Sequence, residues 1–205
     1  MALCTTVAGA AGVSAHRRDE YLQAARLAID PAAVQLELDL TPGIALADPI
    51  VAAIDGNADG SFSGAEQRVY AGKVMTLVSL DVDGTPLSIQ LDGSRFPDIA
   101  SMRRGEGTIR LQTSATLPPL SSGAHRLRFR NRHDPDRSVY LANALVPRSY
   151  QIAVTAQQRD TVQSELAIDY ILRGAPPRSS AAWLIGGIAV AMALSVLRMR
   201  RGRDQ

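Results

Sequence analysis

The chain has 205 residues, of which 20% are charged and 4% aromatic, and its formal net charge is +2. This length accommodates one sizeable globular domain with short appendages. The small net charge argues against a protein that binds nucleic acid, because that function needs a concentrated excess of basic side chains.

The first 15 residues resemble a secretory signal peptide. They are small and mostly apolar, and they end in Val-Ser-Ala before His16, which suits cleavage after Ala15. They carry no basic n-region, so either translation starts further upstream or the signal is weak. Cleavage would remove Cys4, the only cysteine, and leave a mature domain without disulfides.

Two β-strands are predicted next, at residues 21–29 and 34–40. Apolar side chains occupy every second position of residues 34–40 (VQLELDL), which is the pattern of a strand with one buried face and one wet face. The Asp-Pro pair at residues 30–31 is typical of a turn between them.

A short helix, a polar loop and a second helix are predicted over residues 48–76. Asp48 followed by Pro49 is a typical helix start, with Asp as the N-cap and Pro in the first turn, before the apolar residues 50–54. After the loop, residues 66–75 carry apolar side chains at helical spacing.

Residues 55–66 fill the D-x-[DN]-x-[DN]-G-x5-E pattern of a calcium-binding loop at every fixed position. Calcium takes about six to eight oxygen ligands, so such a loop turns sharply and closes with a bidentate carboxylate. Gly60 suits the sharp turn, and Phe62 is expected to point away from the ion and pack beneath the loop. The predicted ligands are Asp55, Asn57, Asp59, Ser61 through its backbone carbonyl, Ser63 directly or through water, and Glu66.

The segment of residues 48–76 resembles an EF-hand, and the resemblance implies Ca²⁺ as cofactor with these six residues as its ligands. EF-hands commonly occur in pairs that brace each other, but residues 81–84 (DVDG) are too short for a second loop and lack a closing acid. A lone hand with three carboxylates predicts weak binding, with Kd on the order of 10⁻⁴ to 10⁻³ M. The alternative is a surface turn rich in Asp, Gly and Ser that binds no ion.

Seven further alternating runs follow the hand, at residues 77–82, 87–91, 107–117, 124–130, 139–146, 150–155 and 166–172. About nine strands at this spacing predict a mainly β fold, an Ig-like β-sandwich. The hand would be an insertion between the strands that end near Leu40 and begin near Leu77. Bound calcium would order that insertion.

Residues 126–132 alternate arginines with Leu127 and Phe129. We interpret this run as a half-buried strand with a solvated arginine face rather than as an anion-binding surface.

The sequence offers no group of nucleophile, base and orienting residue, so we predict that the protein is not an enzyme. His125 and His133 lie in or beside strands and are expected to be exposed strand-end residues. The alternative is a transition-metal site. Cleavage after Ala15 would expose His16, whose amine and imidazole can chelate copper or nickel with help from His125 or His133.

The sequence also carries a second, weaker resemblance. The order of His16, the hand and the histidine segments at residues 123–125 and 131–133 is similar to that in exported N-terminal regions of hydrogenase and urease accessory, nickel-permease-like membrane proteins. Those proteins carry several membrane spans after the exported region, so the resemblance does not imply a permease activity here.

The C-terminal residues predict a membrane anchor. Residues 174–180 (GAPPRSS) suit a short, stiff linker, and residues 181–197 carry no charge and are just long enough to span a bilayer. The alternative is a buried core helix. The arginines of residues 198–205 predict a cytoplasmic tail. Residues 16–173 would then be an extracytoplasmic calcium-binding domain, periplasmic or extracellular, that presents a surface to an unidentified protein partner.

Overall fold

The fold of residues 19–174, which the computed structural model describes, is mainly β. Within them the strands are β1 (Tyr21–Ile29), β2 (Ala33–Pro42), β3 (Val78–Val82), β4 (Thr85–Pro86), β5 (Ile89–Arg95), β6 (Ile109–Thr116), β7 (Gly123–Asn131), β8 (Ser138–Ala144), β9 (Ile152–Arg159) and β10 (Glu165–Leu172). The helices are α1 (Ile44–Ile54), α2 (Gly64–Met75) and α3 (Ile99–Arg103).

The strands form two five-stranded sheets, in the orders β5-β6-β2-β1-β8 and β4-β3-β7-β10-β9. The strand pairs run antiparallel, except that β1 and β8 pair in parallel with Tyr21 opposite Ser138. The predicted mainly β, sandwich-like architecture is therefore confirmed.

The alternation of apolar and polar residues in the sequence matches which strand face is buried and which is exposed. In β7, Leu127 and Phe129 are buried. The arginines that alternate with them, at positions 126, 128 and 130, lie on the outer face. Arg126 donates to Asp169 at 2.6 Å, and Arg130 pairs with a glutamate of β10 at 2.5 Å. The prediction of a half-buried strand with an exposed arginine face is confirmed.

Every predicted strand has a counterpart, with ends that differ by up to four residues. The largest extensions are at the C-terminal ends of β5 and β9, where polar residues continue the ladder beyond the apolar run. The two-residue strand β4 and the helix α3 have no counterpart among the predicted elements, because both are too short to show a period.

One hydrophobic cluster joins both sheets and two helices. Leu38 of β2, Leu127 of β7 and Ile168 of β10 are fully buried within it, together with Val74 of α2 and Ile50 of α1. Burying a side chain of this size contributes about 1.5–3 kcal/mol. The helices are therefore part of the core and not an appendage to it.

The helix pair α1–α2 connects the two sheets, since it follows β2 of one sheet and precedes β3 of the other. The two helices fall between the strands that were predicted to flank the hand. The strand register puts Tyr21, Pro42, Asn131 and Glu165 at the same end of the sheets as the helix pair, here called the hand end. Leu172 and the ends of β1 and β8 lie at the opposite end, here called the far end.

Among residues 19–174 there is no helix of sufficient length and apolarity to cross a bilayer. The predicted signal peptide (1–15), the predicted span (181–197), the basic tail (198–205) and nearly all of the linker lie outside the described residues.

Candidate calcium site

Helix α1 begins directly after its N-cap, Gly43, so the predicted start at Asp48-Pro49 is wrong. Pro49 lies inside the helix, where it lacks the N–H that would bond one turn back. The extra turn forms because Ala47 packs into the core with 1% of its surface exposed. This packing outweighs the capping preference of Asp48.

Asp55, the first predicted ligand, holds the turn of the loop. It is 8% exposed, and its two carboxylate oxygens accept hydrogen bonds from the N–H groups of Asp59 at 3.1 Å and Gly60 at 2.9 Å. Ala58 and Gly60 have φ angles of 56° and 80°, in the left-handed region that glycine adopts without a steric cost. The Asp55 carboxylate therefore stabilises a sharp turn through two charge-assisted bonds.

Glu66, the last predicted ligand, ties the two ends of the loop together. Its Oε1 accepts from the N–H of Gly56 at 2.9 Å, and its Oε2 accepts from the N–H of Ser63 at 2.9 Å and from the Ser63 hydroxyl at 2.7 Å. Ser63 is the N-cap of α2, and its hydroxyl oxygen accepts from the Glu66 N–H to complete a capping box. These bonds, led by the Ser63 hydroxyl, hold the pKa of Glu66 below its usual value.

Asn57, Asp59 and Ser61 form the exposed rim of the loop. The Asn57 amide donates to Asp59 Oδ2 at 2.8 Å, while Ser61 donates to Asp59 Oδ1 from its hydroxyl at 2.8 Å and its N–H at 2.9 Å. The Ser61 hydroxyl is the main reason that the pKa of Asp59 lies below its usual value. The rim carboxylate is thus held ionised, which is the form that binds a cation.

The six predicted ligands lie on one loop, whose carboxylates are engaged in hydrogen bonds within the loop. The carboxylates accept from the loop's own N–H groups, and among residues 19–174 no three His, Cys, Asp or Glu side chains form a group that could hold a metal ion. The donor chemistry fits calcium, because the set offers carboxylate, amide, hydroxyl and carbonyl oxygens and no nitrogen or sulfur ligand.

Phe62 packs beneath the loop, as predicted. Its ring meets that of Phe96 edge-on at 6.2 Å, and Phe96 meets Tyr70 of α2 edge-on at 6.2 Å. The Tyr70 hydroxyl in turn shares a buried hydrogen bond of 2.9 Å with the hydroxyl of Tyr21 in β1. This row of rings couples the loop to the core of the domain.

Helix α3 contacts α1, the helix that leads into the loop. Asp98 caps it by accepting the Ser101 N–H at 2.8 Å. Arg103 donates to Asp48 of α1 at 2.8 Å. The signal in the sequence was the cap residue Asp98 followed by Gly105, whose φ of 72° suits the end of a helix.

The two described histidines are not exposed strand-end residues, so that prediction is wrong. The His125 side chain is 8% exposed and bonds to Asp83 and to the Ser121 carbonyl, both at 2.7 Å. The bond to Asp83 is the main reason that its pKa is raised. His133 lies edge-on to the Tyr21 and Tyr70 rings, and burial lowers its pKa. Both histidines are covered by residues distant in the sequence, Asp83 for His125 and the two tyrosines for His133. Alternation along a single strand does not predict such contacts.

The histidines also lie apart. His125 is near the start of β7 and His133 two residues beyond its end, a separation of about 25 Å along an extended strand. His16 lies outside the described residues. Both ring nitrogens of His125 are already engaged, while His133 Nε2 is buried without a partner. The structure therefore does not bring His125 and His133 into one metal site.

In comparisons with known proteins, no family model, no curated protein and no solved structure matches the chain.

Proposed function

We propose that the protein binds calcium through residues 55–66 in an extracytoplasmic domain held to the membrane by a single C-terminal span. The observation that carries the proposal is the bonding of the loop by two of its own candidate ligands. Asp55 holds the turn and Glu66 joins the ends. A loop that is already bent pays less ordering entropy when the ion binds.

The role of the ion is structural in this proposal. The hand is the connection between the two sheets, so binding energy at the loop stabilises the crossover and with it the whole domain. We further propose that the sheets form an Ig-like sandwich that presents its surface to a protein partner. The alternative of copper or nickel binding receives no support from the described histidines.

The membrane anchor and the outward orientation rest on the sequence. Residues 181–197 carry no charge, and four arginines follow them in residues 198–205, against one in residues 174–180. The apolar residues 1–15 are consistent with export of the domain.

The proposal predicts a melting temperature that depends on calcium. At free Ca²⁺ ten to a hundred times above Kd, binding stabilises the fold by about 1.4–2.7 kcal/mol, which raises Tm by about 3–10 °C in a domain of this size. The measurement is thermal unfolding of the full chain in a non-ionic detergent, with Ca²⁺, with Mg²⁺ and with chelator. Mg²⁺ should give a smaller shift because it requires stricter octahedral geometry.

Two variants separate the loop from general cation effects. Glu66→Gln should remove the calcium-dependent shift, and Glu106→Gln, which removes the same charge from an exposed glutamate outside the loop, should keep it. Equal shifts in both variants would show that the ion acts elsewhere and would refute the proposal.

A further inference from the structure

The loop between β8 and β9, residues 145–151, presents the most exposed large apolar side chain among residues 19–174. Val146 is 90% exposed, and its neighbours Leu145 and Tyr150 are 45% and 60% exposed. Single apolar side chains on a surface are ordinary, but three in one short loop make this loop a candidate contact site.

The loop is held in place at both of its ends. The Leu145 N–H donates to the Leu27 carbonyl at 2.7 Å, which extends the pairing of β8 with β1. At the other end, the Ile152 N–H donates to the Ser149 carbonyl at 3.1 Å. The apolar side chains therefore project from a hydrogen-bonded turn.

This loop lies beside Arg173, the first residue after β10. The Arg173 N–H donates to the Gln151 carbonyl at 2.7 Å, and the Arg173 guanidinium donates to the Tyr150 carbonyl at 3.1 Å. The exposed loop and the exit of the chain consequently share the far end of the domain.

The sequence after Arg173 limits how far this end can be from a membrane. Residues 174–180 are the only residues between it and the uncharged apolar residues 181–197. Seven residues span at most about 25 Å when fully extended. If residues 181–197 cross a bilayer, this length is the most that the chain allows between Arg173 and the start of the span.

The charges near the exit suit the same contact. Residues 145–151 and 173–180 contain Arg148, Arg173 and Arg178 and no acidic residue, while Arg148 lines one surface pocket together with Asp30, Glu37 and Asp92. Arginine side chains attract anionic headgroups, and a tyrosine ring such as that of Tyr150 suits the boundary between headgroups and hydrocarbon.

We propose that residues 145–151 dock on the outer surface of the phospholipid bilayer, with Val146 and Leu145 among the headgroups and Arg148 and Arg173 facing lipid phosphates. This inference rests on the membrane anchor of the proposed function. It fixes the orientation of the domain, because the calcium hand occupies the opposite end of the sheets. The hand then faces away from the membrane, at a height of about 30 Å for strands of nine to ten residues.

The test uses the full chain with Cys4→Ser, reconstituted in vesicles of phosphatidylethanolamine and phosphatidylglycerol. A nitroxide is placed at Val146→Cys, and a matched control at Val162→Cys, a valine 62% exposed in the β9–β10 turn at the hand end. A third label at Ala189→Cys reports on the predicted span. Collision with oxygen, which partitions into lipid, is compared with collision with a water-soluble nickel chelate.

We expect the Val146 label to collide several-fold more with oxygen than with the chelate, and the Val162 label to show the reverse. If the Val146 label is exposed to water while the Ala189 label lies in lipid, the docking is overturned and the anchor stands. An aqueous label at Ala189 would instead refute the anchor and the docking with it. A Val146 label that is immobilised but inaccessible to both reagents would indicate contact with a second copy of the chain and would also overturn the proposal.

Discussion

Replacing Asp55 by alanine tests whether the candidate ligands hold the loop together before any ion binds. Asp55→Ala removes the carboxylate that accepts from the N–H groups of Asp59 and Gly60. Asp55 is only 8% exposed. A hydrogen bond to a charged group contributes about 1.5–3 kcal/mol. Water can replace part of both bonds at the loop surface, so we expect a total loss of about 2–3 kcal/mol.

The assay is thermal unfolding of the full chain in detergent with excess chelator, so that no calcium contributes. The expected loss corresponds to a fall in Tm of about 5–10 °C. Asp59→Ala is the matched control, since it removes the same charge from the same loop at an exposed position. It should lower Tm less than Asp55→Ala. An unchanged Tm for Asp55→Ala, or an equal fall for both variants, would refute the reasoning.

Further variants probe the hand and its attachment by the same melting assay. Tyr70→Phe leaves the buried Tyr21 hydroxyl without its partner and should cost about 1–3 kcal/mol, part of which the double variant with Tyr21→Phe should recover. Burial lowers the pKa of His133, so as pH falls the unfolded chain binds a proton at a higher pH than the folded chain does. Stability should therefore fall below about pH 6.5, by at most ~1.4 kcal/mol per pH unit, and His133→Phe should flatten that dependence. The methyl group added by Gly60→Ala meets no atom within 4 Å, but the backbone keeps a φ of 80°, so this variant should lose about 1–2 kcal/mol of stability. Gly72→Ala inside α2 is equally free of contacts and should stabilise the fold by about 0.5–1 kcal/mol.

The features that sequence reasoning predicted well are those with local causes. The turn of residues 55–66 depends on hydrogen bonds of Asp55, Gly60 and Glu66 that all lie within the loop, and the strand faces depend on alternation within one run. A short pattern contains all the information that such features need.

The features that it missed have causes distant in the chain. Helix α1 gains a turn because Ala47 finds a place in the core, and α3 is stabilised by contacts with α1 that include the bond from Arg103 to Asp48. His133 is buried because β1 and α2 bring Tyr21 and Tyr70 over it. Spacing along a single strand does not encode such neighbours.

The central claim is that residues 55–66 bind calcium, and a calorimetric titration of Ca²⁺ into the full chain in non-ionic detergent tests it most directly. The account predicts one saturable site with Kd on the order of 10⁻⁴ to 10⁻³ M, which Glu66→Gln abolishes or weakens strongly because it removes the bidentate closing ligand. The absence of binding heat in the unsubstituted chain, or equal binding by both chains, would contradict the claim.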